Sequence, residues 1–113
     1  MKAIEKTPRD LESRLIEFAA RILDLVEALP AAPIAKHLGG QLTRSGTSPA
    51  LNYAEARAAE STSDFVHKMK VCLKELRETH ACLRIIETRN WFTKGRLNPL
   101  LDECNQLISI FVA

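Results

Sequence analysis

Apolar side chains return along this chain at alternating steps of four and three residues, the mark of helices that each hide one stripe. Leu11, Leu15, Phe18, Ile22, Leu25 and Leu29 form the first such seam. Thr7 is placed to cap it, and Pro8 suits the first helical position, where its missing N–H has no partner to lose. Pro30 to Pro33 should close it, because proline cannot continue the hydrogen-bond ladder and restricts the residue before it. A second helix is predicted from Pro33 to about Ala59, with Ile34, Leu38, Leu42 and Ser45 along one side and Gly39 and Gly40 permitting close approach by a neighbour. Pro49 interrupts it. Gly46, Thr47 and Ser48 just before either cap a fresh helix or mark a kink, and a kinked single element is the expectation.

The third helix has the clearest start, since Ser61 followed three residues later by Asp64 is close to a capping box. Its seam runs Phe65, Met69, Cys72, Leu76, Thr79, Leu83 and Ile86. Asn90 to Gly95 reads as a turn, and Asn98 with Pro99 as the opening of a fourth helix carrying Leu100, Cys104, Leu107 and Phe111. Four helices joined by short connections predict an all-α fold, an antiparallel up-down-up-down four-helix bundle, because each stripe must be covered and short loops make neighbours antiparallel. The chain of 113 residues fits one such domain over residues 1–113, as domains commonly take about 100 to 200 residues.

Charge adds a direction to this picture. Sixteen Lys and Arg against fourteen Asp and Glu give +2, too little by itself to imply a polyanionic partner. Residues 1–60 balance at eight and eight, whereas Phe65 to Arg96 holds eight basic side chains against Glu75, Glu78 and Glu87. Any positive surface is therefore expected on the second half. No apolar run approaches the ~20 residues that cross a membrane. The three cysteines, Cys72, Cys82 and Cys104, are odd in number and follow no apolar leader, so a reducing cytoplasm is the expected compartment.

Catalytic sets are missing from the sequence. Di-iron bundles need two Glu-x-x-His sets with further glutamates, and only Asp64-x-x-His67 is present, with Asp64 already wanted at a helix start. Cys72 and Cys82 are about 15 Å apart along one helix, too far to chelate one ion, and read as small core residues. His80 has no visible nucleophile or acid beside it and reads as a half-buried imidazole. Ser45, Thr47 and Ser48 resemble caps, as there is no nucleophile elbow or phosphate loop. No enzyme, catalytic residue, metal, cofactor or small-molecule substrate is expected.

Two groups of residues remain as candidates. Asn52 and Glu55 share a helical face rich in small apolar side chains and are expected to be partly covered, with Arg44, Lys74 or Arg77 as the cation a covered carboxylate needs. Arg44, Asn52, Tyr53, Glu55, Lys74 and Glu78 are thus read as a structural polar network or subunit contact rather than as catalysts. The second group is a row on the third helix, His67, Lys70, Lys74, Arg77 and Arg84, continued by Arg89, Lys94 and Arg96, along which phosphates of RNA or DNA can lie. Glu75 and Glu78 are close enough in sequence to pair with the row, and a solvated face is the plain alternative. No aromatic side chain interleaves with it, which gives base stacking no support.

The residues from Ser45 to Thr79 also carry a resemblance. Ser45-Gly46-Thr47-Ser48, Asn52, Tyr53, Glu55 and Ala56, Ala59-Glu60-Ser61, Asp64, Phe65, His67 and Lys68, and Leu73-Lys74-Glu75 with Arg77, Glu78 and Thr79 resemble the four-helix-bundle family also called S23, proteins encoded in intervening sequences of 23S ribosomal RNA genes. Many members carry Gly where this chain has Ala56 and Gly-Ser where it has Lys74-Glu75, and the chain looks like the branch with Ala and Lys-Glu. Cys82 stands where tryptophan is common, and Pro49 where a β-branched residue is common. The resemblance implies an antiparallel bundle and, for several members, a ring of five subunits; it does not imply an enzyme. A distant basic relative assists the reverse transcriptase of diversity-generating retroelements and binds nucleic acid. Five copies at +2 each carry +10, so weak sites repeated around a ring would add through multivalency. The expectation is a cytoplasmic homo-oligomer, pentameric by resemblance, acting as an interaction scaffold, with an RNA- or DNA-binding accessory protein as the alternative.

Overall fold

A computed structural model describes residues 8–113, with side chains from Asp10 onward, and the predicted cap Thr7 lies outside them. The described residues form four helices and no strand: α1 (Pro8–Glu27), α2 (Pro33–Arg57), α3 (Thr62–Thr88) and α4 (Lys94–Val112). Each packs on two neighbours in the cyclic order α1, α2, α3, α4 and back to α1, and the α1/α4 seam is the thinnest. The core is one cluster to which all four contribute: Phe18, Ile22 and Leu25 from α1, Leu42 and Tyr53 from α2, Cys72, Leu76, Leu83 and Ile86 from α3, and Leu97, Cys104 and Leu107 from α4.

The second helix departs from the expected seam. Ile34 is exposed and Leu38 only half-buried, while Ala35, Gly39, Leu42, Ser45, Gly46, Pro49, Tyr53 and Ala56 form the buried side. The helix passes through Pro49 as one element, although proline removes one ladder donor. Contacts on two flanks hold it there. A Cβ at Gly46 would lie 2.7 Å from Ile22 Cγ2, so α1 and α2 approach as closely as they do only because position 46 has no side chain. On the other flank Ser45 Oγ is buried 2.9 Å from Thr79 Oγ1 of α3. Gly39 also faces α1, where an added Cβ would sit 3.1 Å from Leu29, whereas the space around Gly40 is open. Ser45, Thr47 and Ser48 are therefore mid-helix residues and not caps. Thr47 donates back to the Thr43 carbonyl at 2.8 Å, which satisfies its hydroxyl inside a helix.

The α3 start follows the sequence signal: the Ser61 hydroxyl accepts from the Asp64 N–H at 3.1 Å. Phe65 at the head of the predicted seam is exposed, and burial begins in earnest at Cys72. Asn90 sits at φ 58° in the left-handed region, where an asparagine is tolerated and the helix direction is lost. The fourth helix then starts earlier than Asn98-Pro99 suggested. Thr93 caps it, accepting from the Arg96 N–H at 3.2 Å, and Pro99 lies inside the element. A threonine cap supplies an acceptor to an orphan N–H directly, a stronger local determinant than the fixed φ of a proline six residues later.

Candidate functional site

The α2/α3 interface collects most of the polar side chains that the sequence marked. Arg44 extends from α2 to Glu75 Oε1 at 2.8 Å and also pairs with Glu78. Glu75 is the one buried charged side chain among the described residues, and a buried carboxylate requires such a cation. The two carboxylates in turn raise the Arg44 pKa, chiefly through their hydrogen bonds. Ser45 and Thr79 lie one step inward, with Thr79 Oγ1 donating to the Glu75 carbonyl at 2.8 Å. Glu75, absent from the network expected from sequence, is thus its centre. Its signal was its place beside Leu76, on the same side of α3 as Cys72, Thr79 and Cys82.

Other members of that expected network separate. Glu55 is exposed and pairs with Lys68 Nζ at 2.6 Å rather than with Arg44, Lys74 or Arg77. The reason is position: near the end of α2, the helix turns Glu55 outward past the edge of α3, where Lys68 in the opening turns of α3 meets it. The hydrogen bond from this carboxylate raises the Lys68 pKa. Asn52 is half-buried but turns back along its own helix, donating to the Ser48 carbonyl at 3.0 Å and hydroxyl at 2.8 Å. Tyr53 is buried with its ring edge-on to Phe111 of α4 at 6.1 Å, and burial pushes its phenol pKa up. Lys74 is exposed and outside the network.

The outward face of α3 shows the opposite arrangement. His67, Lys70, Lys74, Arg77 and Arg84 are all exposed. Glu75 and Glu78, which sequence proximity offered to this row, are both turned to Arg44. Among the described residues Lys70, Lys74 and Arg77 make no ion pair, and Arg84 meets only Glu87 at 3.4 Å. A face of unneutralised cations has a positive potential that its sequence neighbours had seemed to cancel.

At the α3–α4 corner the fold brings together what the sequence kept apart. The Arg89 guanidinium carbon lies 5.5 Å from the centroid of Trp91, and that of Arg96 lies 5.8 Å from the centroid of Phe92. Both rings are half-buried against the core. Cation–π contact restrains these arginines, so aromatic surface does stand beside the far end of the basic residues. Lys94 is exposed in the first turn of α4.

Nucleophiles and metal ligands show no comparable assembly. Burial pushes the Cys72 and Cys104 thiols up from an ordinary 9.0 to about 12, and burial followed by the nearby Glu78 raises Cys82. Such thiols stay protonated and poorly nucleophilic near neutrality. Cys72 donates to the Pro49 carbonyl at 3.4 Å and Cys104 to the Leu76 carbonyl at 3.3 Å, which joins helices. Among the described residues no group of three His, Cys, Asp or Glu side chains could hold a metal ion, and no helix is long and apolar enough to cross a membrane. Surface recesses among the described residues include one of about 280 Å³ beside Val26, Leu29, Ala35 and Gly39, one of about 400 Å³ beside Arg21, Asp24, Gly95 and Arg96, and one of about 380 Å³ beside Ala59, Glu60, Ser61 and Phe65.

Residues 10–113 match the model of the 23S rRNA-intervening sequence protein family. The fold is similar to a crystal structure of a protein of unknown function from the S23 ribosomal protein family of Bacteroides thetaiotaomicron VPI-5482. The two share 27% identity at a TM-score of 0.84, over 90% of this chain and 94% of that one. No curated protein matches the sequence.

Proposed function

Since the chain belongs to the 23S rRNA-intervening sequence protein family, we propose that it is a self-assembling, non-enzymatic interaction scaffold. Its unit is an antiparallel up-down-up-down bundle in the cytoplasm, and five copies form the ring that the resemblance implies. The order of contacts supports alternating direction. Going forward along α3, Lys68, Cys72, Thr79 and Cys82 meet Glu55, Pro49, Ser45 and Leu38, so α2 is met backwards. Glu12 meets Arg57, and Ile22 packs at Gly46, in the same reversed sense between α1 and α2.

The observation that carries self-assembly is a second apolar stripe on α1. Ile16, Ala20 and Leu23 follow one another at four and three residues and are exposed, with Ile16 at 55%. They lie on the side away from Leu15, Phe18, Ile22 and Leu25. A helix with two apolar stripes has one more than its own bundle covers, and helix-on-helix docking is the economical way to hide the other. Leu51 on α2 is a further exposed apolar side chain, at 64%. Native mass measurement tests the reading: a multiple of the 12.6 kDa chain is expected, and Ile16→Glu with Leu23→Glu should release folded monomers. A wild-type monomer at micromolar concentration would end it.

A second reading, an RNA- or DNA-binding accessory role, is favoured by the exposed cations Lys70, Lys74 and Arg77, which make no ion pair among the described residues. Repetition of that row around a ring would multiply weak phosphate contacts. The ratio of absorbance at 260 to 280 nm of freshly purified protein reports co-purifying nucleic acid. A protein-only ratio, together with no retardation of RNA or DNA at low salt, would remove this role.

A further inference from the structure

We propose that the recess between α1 and the start of α4 binds one nucleotide, with Arg21 and Arg96 holding its phosphate. It is an open surface recess of about 400 Å³ lined by Arg21, Asp24, Gly95, Arg96, Pro99 and Leu100. Among the described residues neither arginine makes an ion pair. Both arginines line one recess, and an anion seated there can accept charge-assisted hydrogen bonds from guanidinium groups on either side. Phosphate fits the planar donor fork of arginine better than a point cation's geometry would require. Arg96 is restrained before any ligand arrives, because its guanidinium carbon rests 5.8 Å from the Phe92 centroid, which lowers the ordering cost of binding.

The remaining lining narrows the ligand further. Pro99 is exposed above the buried Leu100 and offers apolar surface against which a base can pack. Asp24 is acceptor-only when ionised, so it favours ligands that bring hydroxyl or amino donors and repels a bare anion. A sugar or base supplies such donors away from the anionic group, whereas inorganic phosphate brings its few P–OH donors on the anion itself. A free nucleotide and the end of a strand both present such a phosphate, and the chemistry of recognition is shared. Of the cations marked in the sequence, Arg96 alone lines this recess, so the inference stands apart from the α3 row.

Titration of the full-length chain, followed by NMR of backbone amides and arginine side chains, tests the site. Adenosine 5′-monophosphate should move the Gly95 amide and the Arg21 and Arg96 side-chain signals. Adenosine and inorganic phosphate should each bind at least about tenfold more weakly. Arg21→Gln, which spares the Arg96–Phe92 packing, should lower affinity by about tenfold or more at an unchanged melting temperature, while Lys70→Glu with Lys74→Glu should leave it alone. Tighter binding of a short 5′-phosphorylated oligothymidylate, lost in Arg21→Gln, identifies a strand end as the source; equal binding identifies the free nucleotide, and both support the site. No shifts at millimolar adenosine 5′-monophosphate, shifts located elsewhere, or full affinity in Arg21→Gln would overturn it. So would inorganic phosphate binding as tightly as the nucleotide.

Discussion

The two long edges of α3 draw on the same kinds of side chain and use them oppositely. On the edge facing α2, Glu75 and Glu78 meet Arg44, Lys68 meets Glu55, and Thr79 meets Ser45, so each group has a partner. On the outward face Lys70, Lys74 and Arg77 make no ion pair among the described residues. Neutralisation across the α2/α3 seam leaves the outer cations uncompensated, because the carboxylates nearest in sequence are turned the other way. One edge specifies how two helices align, and the other remains available to molecules outside the chain.

The largest effect that would expose this difference is expected at Leu76, fully buried on the inner side of α3. Leu76→Ala should lose about 2 to 5 kcal/mol of unfolding free energy in urea. A loss comparable to that of an exposed substitution would mean that the seam is not where stability lies.

Alkaline pH should act on the same inner side. The Cys72 and Cys104 pKa values are raised to about 12 in the folded chain, whereas unfolded thiols ionise near their ordinary value. Below about pH 9 both states keep the protons; above it only the unfolded state releases them, so stability falls as pH rises toward 12. The slope should approach about 1.4 kcal/mol per pH unit for each thiol. Cys104→Ala should remove about half of the slope that Cys72 and Cys104 supply together in melts recorded above pH 9, with Cys82, also raised, contributing the rest of the thiol slope; an unchanged slope would refute the thiol assignment.

The hydroxyl pair should give a smaller, diagnostic effect. Thr79→Val leaves the buried Ser45 hydroxyl without its partner and should cost about 1 to 3 kcal/mol. Adding Ser45→Ala should recover much of that loss, since removing both polar groups is less harmful than orphaning one. Strict additivity in the double-mutant cycle would show that the two hydroxyls do not interact.

Least of all should change on the outer face. Lys70→Glu with Lys74→Glu is expected to shift stability by no more than about 0.5 kcal/mol at each position. Where nucleic acid binds, the same pair should flatten the dependence of affinity on salt. Destabilisation like that of Thr79→Val would show that the outer row is structural after all.

Much of this molecule was legible from side-chain periodicity and local capping. The α1 seam, the Ser61 cap and the inward residues Cys72, Leu76, Thr79, Leu83 and Ile86 follow from spacing alone, because a helix must hide one stripe whatever lies beyond it. Misplaced features share a physical cause. Ile34 and Phe65 have suitable residue types at suitable spacing but lie at helix ends, where the neighbouring helix does not cover them. The earlier start of α4 depended on whether the Thr93 side chain reached an orphan N–H, a choice that competes locally with Pro99.

Sequence by itself determined four amphipathic helices, their punctuation and the excess of positive charge in the second half, since these depend on residues near one another along the chain. Tertiary structure decided which charges were cancelled. Arg44 lies 31 residues from Glu75, and Arg21 meets the recess beside Arg96 only when α1 and α4 pack. Electrostatic pairing depends on distance through space, and only folding sets that distance.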